Sequence, residues 1–427
     1  MHDTPSGSHA SRPARVRRLT TGRRLVPACL YLVAPPKRFA MQSFACLPVS
    51  GVASPRGVAR LRSGVARRRC ARPAALGKGG PRCAASAPQD DSTFGKPAAP
   101  RDIWTSFADG FRRDFLAAAA VADGSGGDVA RAALLLAAED DAVASRTAVP
   151  LPIDAYVGRV DTLASDFAAQ YAAPSPADPD AVLVALDAFL YGEDGCRFRV
   201  PTTWVEASSP YRTYLHNVLA QKVGVPAALA TIHLAVLQRL QAAGVAPPDA
   251  QVVLSPLGGR PVSRRGDASS FPPAVTPAGL LVATLVVLQR AFWAWEWAPE
   301  EASGFTRAAR AAAGLEGGRI GQMMGGVVMQ PTGRPFGDPE RAQLAVERLL
   351  ALAGGQGAPL RDLAVLQAHL KQKAKALANL KAYIASPAGV EAAAAAAVGA
   401  SPYLVGEQEA LQALLLSLEK SRLEGLL

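Results

Sequence analysis

The segment Pro226–Ala243, PAALATIHLAVLQRLQAA, places apolar side chains on almost every face of a helix. A surface helix keeps one polar face, so a helix that is apolar nearly all round must be enclosed by other elements. Gly224 suits the end of the preceding element. Pro226 suits the first helical position, where its missing N–H is no loss. The chain is therefore expected to pack its other elements around one central helix.

Those other elements read mainly as helices. Asp128 is placed to cap a helix through ARAALLLAAEDDA, with Glu139-Asp140-Asp141 as its solvated end. In Ile153–Tyr171 the apolar positions recur at spacings of three and four, the helical period. Asp180 opens AVLVALDAFLY, with Gly192 fitting its C-terminal cap. Residues 210–223 read as one short amphipathic helix striped by Tyr211, Tyr214, Leu215, Val218 and Leu219. Residues 251–277 leave room for two short strands, and 279–297 return to helix with the aromatic group Phe292, Trp293, Trp295 and Trp297, read as a mix of core and interface. Residues 298–337 read as a Gly-rich insertion. Its GLEGGRIGQMMGG follows no strand and lacks the spacing of a nucleotide loop, so its Met pair is expected to be a packing contact. From Asp338 onward the pattern is helical again, ending in EQEALQALLLSLEKSRLEGLL.

The net charge of +11 would point to nucleic acid, but its location removes that reading. Seventeen of the 46 basic residues and one of the 35 acidic residues lie in 1–89, so the rest carries 29 basic against 34 acidic side chains. A body of that balance has no general attraction to phosphate backbones. Residues 1–87 have the Arg-, Ala- and Ser-rich, acid-poor composition of a disordered transit peptide, with cleavage expected near Arg82-Cys83-Ala84-Ala85 and Met41 as a second possible start. The destination expected is the chloroplast stroma, the alternative being the mitochondrion. A basic arm that stays on the protein is the other reading of this segment. A Pro-rich linker, 88–101, follows.

Four of the five cysteines fall in that leader, leaving Cys196. One thiol forms no internal disulfide, and His216, His233 and His369 have no metal-ligand spacing, so no metal and no cofactor are expected. The most apolar run, Ala278–Leu288, is about 11 residues where a membrane span needs about 20.

Two stretches carry a family resemblance. DAFLYGEDGCRFR and SSPYRTYLHNVLAQKVGVPAALATIHLAVLQRL resemble the core of the SirB1 / transglutaminase-like family, through Pro210, Tyr214, Leu215, Asn217, Val218, Leu219, Gly224, Val225, Pro226 and Leu229. ALLLAAEDDA and IDAYVGRVDTLA resemble its N-terminal part. ERLLALAG, LRDLAVLQAHL and AKALANLKAYIASP resemble its C-terminal repeat. The resemblance implies a mainly α fold: a helical transglutaminase-like core over 102–297 with a small degenerate β portion, the insertion 298–337, and tetratricopeptide-like (TPR-like) helices over 338–427.

It also implies a papain/transglutaminase-like ancestry, in which a Cys at the N-terminus of the buried central helix is activated by a His and an Asp from the following strands. Here that helix opens Val225-Pro226-Ala227-Ala228, and no Cys, Ser or Thr occurs before Thr231. Gly259 or Arg260 falls at the His position, and Gly266-Asp267 is a poor match to the Asp segment. The chain is accordingly read with no catalytic residue, as a protein- or peptide-binding scaffold. The alternative is a cysteine-dependent peptidase, transglutaminase or deamidase using Cys196, whose neighbours Arg197 and Arg199 would favour the thiolate. Against it, Cys196 reads as a small hydrophobe in the position where the family usually has Phe. His233 reads as a core histidine donating to a backbone carbonyl, and His216 as a polar cap or surface residue.

Overall fold

The computed structural model describes residues 101–122, 127–146, 149–171, 179–254, 259–266, 273–295, 303–315, 322–324, 327–329, 336–352, 354–355, 357–399 and 401–425. Residues 1–100 and part of the Gly-rich segment lie outside them. The described residues are mainly helical.

The first half runs α1 (Arg101–Ala122), α2 (Val129–Ser145), α3 (Ile153–Tyr171), α4 (Pro179–Tyr191), the single turn α5 (Trp204–Ala207), a 3-10 turn at Pro210–Arg212, α6 (Leu215–Gln221) and α7 (Pro226–Ala242). Two strands follow, β1 (Ala250–Val253) and β2 (Val262–Arg265), then α8 (Pro277–Phe292) and α9 (Ser303–Ala312). A short antiparallel pair, β3 (Gln322–Met324) and β4 (Val327–Met329), precedes α10 (Pro339–Leu352), α11 (Ala358–His369), α12 (Lys373–Ala385), α13 (Pro387–Ala397) and α14 (Pro402–Leu423).

α7 is the enclosed helix that its composition demands. Ala227 through Leu237 are all buried, and α2, α3, α6 and α8 pack around it with β1 beside it. Asp128 caps α2, its carboxylate accepting from the Ala130 and Arg131 N–H groups at 3.0 and 3.3 Å. β1 and β2 pair antiparallel, Val253 opposite Val262, and β2 rests on α4. On the far side α8 meets α10, which leads through α11 to α12, while α9 lies on α14 and α11. One hydrophobic core runs through all of these, from Phe115 on α1 to Leu418 on α14.

Several expectations change. Residues 210–223 split: the 3-10 turn leaves Tyr211 half exposed, and α6 ends at Lys222, not Gly224, with Lys222 in the left-handed conformation at φ 60°. Gly224 serves a different need. A Cβ there would lie 2.6 Å from Val218 Cγ1, so the residue is Gly because the chain passes against α6. The Gly-rich segment contains α9, whose Phe305, Ala308 and Ala309 are buried at helical spacing with Arg307 and Arg310 exposed, a short amphipathic stripe flanked by glycines. The Met323-Met324 side chains lie outside the described residues. Phe292, Trp293 and Trp295 are core, with Trp293 Nε1 donating to Gly304 O at 3.2 Å, and Trp297 lies outside the described residues.

Glu139-Asp140-Asp141 is not simply a solvated end. Glu139 is 2% exposed and accepts from Arg348 Nε at 2.9 Å and Arg112 Nε at 3.1 Å. Asp140 accepts from Arg341 Nε at 2.8 Å, and Arg341 lies 3.9 Å over the Phe292 ring. Two arginines of α10 thus meet the end of α2. A second such group joins Gln289 of α8 to Asp362 of α11 at 2.7 Å, with Arg361 between Asp362 and Glu407. No single described helix is long and apolar enough to cross a membrane.

Candidate functional site

The residues that carried the resemblance build the entrance to α7. Tyr214, Leu215, Val218 and Leu219 bury α6 against α2, and Pro210 is buried beside them. The chain then turns at Lys222, whose N–H donates to Val218 O at 2.8 Å. Gly224 N donates to Arg199 O at 3.1 Å and Val225 N to Arg212 O at 2.8 Å, so the segment before the helix is tied to both neighbouring loops. Val225 and Leu229 are buried; Pro226 and Asn217 are partly covered. The helix starts with Pro226, Ala227 and Ala228, none of which offers a nucleophile. The first hydroxyl, Thr231, is 1% exposed and donates back to Ala227 O at 2.9 Å.

Cys196 sits in the turn after α4, half buried against the core, with its N–H donating to Phe189 O at 2.7 Å. Burial pushes its thiol up from the ordinary value; Lys222 pulls down and Asp166 pushes up again. The flanking arginines turn elsewhere. Arg197 Nε donates to Glu193 O, and Arg199 grips Glu206 with both terminal nitrogens at 3.2 and 3.0 Å.

His233, two turns inside α7, has side-chain partners and not the backbone carbonyl expected of it. Its Nδ1 faces Tyr191 Oη at 3.1 Å and its Nε2 faces Ser263 Oγ at 2.6 Å. Asp187 lies 3.5 Å from the same Nε2 and accepts from the Ser263 N–H at 3.1 and 3.3 Å and from its hydroxyl. The ring is 0% exposed, and burial lowers it to about 3, so it is neutral. Burial and the charge of Asp187 raise Tyr191 well above its usual range, so the phenol keeps its proton. Asp187 is raised by burial, partly offset by the Ser263 hydrogen bonds and by Arg260.

One proton assignment satisfies every group: Tyr191 O–H donates to Nδ1, Nε2–H donates to Ser263 Oγ, and the Ser263 hydroxyl donates to Asp187. In this assignment Nε2 is already protonated and is no base for Ser263. The carboxylate also stands on the Nε2 side, whereas a nucleophile relay needs it at Nδ1. The network therefore anchors β2 to α4 and α7. Its three other members were invisible as partners in the sequence, because they come from segments 42, 46 and 30 residues away from His233 in the chain.

His216 lies between two rings, with centroids 5.8 Å from Tyr156 and 6.0 Å from Tyr214. Burial lowers its pKa, against the pull of Asp141 and Asp140. His369 Nε2 bonds Ala308 O at 2.8 Å, and its ring lies tilted against Trp295 with centroids 4.1 Å apart. Arg260 is exposed, with its guanidinium 5.9 Å from the Tyr191 ring; Asp267 lies outside the described residues. Among the described residues no group of three His, Cys, Asp or Glu side chains is placed to hold a metal ion.

An open groove of about 600 Å³ lies beside the entrance to α7, walled by Arg199, Val205, Glu206, Tyr211, Arg212 and Phe336 among others. It contains none of the motif's buried residues and neither Cys196 nor His233.

Residues 154–260 match the family described as the transglutaminase-like superfamily, so this part of the chain is a transglutaminase-like domain. It spans α3 to the residue before Pro261, with α7 and β1 inside it. No curated protein and no solved structure matches the chain.

Proposed function

We propose that the chain is a SirB1-like, non-catalytic member of the transglutaminase-like superfamily that works as a protein-interaction or scaffold module in the plastid, with the mitochondrion as the other destination its leader would fit. The observation that supports this most is the start of α7. The hydrogen-bonded entrance is complete, yet Pro226-Ala227-Ala228 stands where the chemistry would need a thiol. A histidine does lie in the same helix, but it is spent inside the Tyr191–Ser263–Asp187 network. The competing enzyme reading needs Cys196 as an activated thiolate, and burial moves that thiol the other way. We read α10–α14, with α11 and α12 packed as a hairpin, as TPR-like helices that extend the binding surface.

The test is a set of turnover assays on the full-length protein with a glutaminyl peptide, offering water, an amine and peptide-bond cleavage as outcomes. Equal background rates for wild type and Cys196→Ala are expected. Turnover by wild type that Cys196→Ala abolishes would overturn the proposal.

A further inference from the structure

We infer that the groove beside α7 is a docking site for a peptide segment of a partner in which an acidic residue neighbours an aromatic one. This rests on the interaction reading above and names the chemistry of the partner.

The charge is unbalanced within the groove. Arg199 and Arg212 face a single carboxylate, Glu206. Glu206 is turned inward: its side chain is 17% exposed and accepts from Arg199, from the Thr202 N–H at 3.0 Å, and lies 3.5 Å from Arg212. Those hydrogen bonds, that of Arg199 first, hold its pKa below the usual carboxylate range, so it stays ionised and fixes both guanidinium groups. Each guanidinium has five donors. Among the described residues, Arg199 uses only its terminal nitrogens, on Glu206 and Val200 O, and Arg212 uses its own on Gln221 and Glu206. The Nε edge of each remains for an incoming carboxylate, in a groove with one surplus positive charge.

The other wall is apolar. Tyr211 is 48% exposed and meets Phe336 edge to face at 5.9 Å, and Val205 is 70% exposed. Aromatic rings in that arrangement prefer a further ring at an edge or an offset face. Cationic donors at one side and an aromatic pair with Tyr211 exposed at the other suit alternating acidic and aromatic side chains. A nucleic acid would require a broader positive surface.

The probe is a fluorescein-labelled peptide alternating aspartate and phenylalanine, titrated with the full-length protein by anisotropy. Two control peptides replace every aspartate by asparagine, or every phenylalanine by alanine. Wild type is expected to bind the acidic–aromatic peptide roughly tenfold tighter than either control, and less tightly as salt is raised. Tyr211→Ala and Arg212→Gln are each expected to weaken binding by about tenfold. Circular dichroism checks that Tyr211→Ala and Arg212→Gln are folded. Equal affinity for the asparagine peptide, no binding, or binding unchanged in Tyr211→Ala would overturn the inference. Cys196-dependent turnover would instead sink the interaction reading on its own.

Discussion

Arg348 and Glu139 stand 209 residues apart in the chain and meet in the interior, Nε to Oε2 at 2.9 Å, with side chains only 4% and 3% exposed. A buried pair of this kind is weak evidence of net stabilisation, because desolvation cancels much of the attraction. Removing Arg348 is another matter, since it leaves the buried Glu139 with only the partly exposed Arg112 as counter-charge. Arg348→Met is expected to lower the unfolding free energy, by less than the about 3–5 kcal/mol of a buried pair broken outright because Arg112 remains, read from the midpoint of urea denaturation. Glu139→Leu with Arg348→Met is expected to recover most of that loss, because Arg112, with its side chain 35% exposed, can return to water. A double variant as unstable as Arg348→Met alone would mean that the pair is not what joins α10 to α2.

Gly224 tests the reading of the motif as packing. Its added Cβ would sit 2.6 and 3.0 Å from the Val218 methyls and 3.3 Å from Leu229 Cδ2. Val218 is fully buried and stiff at χ1, so it cannot swing aside. Gly224→Ala should cost about 1–3 kcal/mol, the usual cost of overpacking. In a thermal-unfolding cycle, Val218→Ala should be less costly in the Gly224→Ala background than in wild type. Strict additivity of the two changes would show that the clash is not the reason for the glycine.

What the sequence disclosed follows from the range of each interaction. The Asp128 cap and the periodicity of Ile153–Tyr171 are local, and both helices stand where they were read. The burial of α7 follows from its own composition. Glu139 was misread because nothing near it announces an arginine more than two hundred residues on. His233 was placed correctly in the core, but its partners arrive from α4 and β2. The groove escaped notice for a similar reason: Arg199, Glu206 and Arg212 look like ordinary surface charges until the turns around α5 bring them together. The stripe of α9, Phe305, Ala308 and Ala309 opposite Arg307 and Arg310, is legible in the sequence, but the glycines around it make the segment read as an insertion.

Cys196 gives a direct reading of its surroundings. Burial raises its thiol and only Lys222 works against that. Alkylation by iodoacetamide should therefore be slower than for a free thiol at neutral pH. Its rate should rise with pH through a midpoint above the free-thiol value of about 8.5, and urea should accelerate it. Fast native labelling with a midpoint below that value would return Cys196 to candidacy as a nucleophile.

The imidazole of His233 makes stability fall on acidification. Its pKa is about 3 in the native protein against an ordinary 6.5, so above 6.5 both states are neutral and its contribution is complete. Between these values the unfolded chain binds a proton that the native state refuses. Stability is then lost as pH falls, by up to about 1.4 kcal/mol per pH unit. His216 and His369, also lowered by burial, act in the same direction. Asp187, raised by burial, acts oppositely as pH falls towards its own lower range, because there the native state binds the proton first. The share due to His233 is isolated by His233→Gln. That variant should be less stable at pH 8, by about 1–3 kcal/mol for hydrogen-bonding groups left poorly matched. Its unfolding free energy should nevertheless change less steeply between pH 6.5 and 4, by up to one proton's worth of slope. Parallel pH profiles for the two proteins would mean that His233 takes up its proton while the protein is still folded, and that the Tyr191–His233–Ser263 network opens without unfolding.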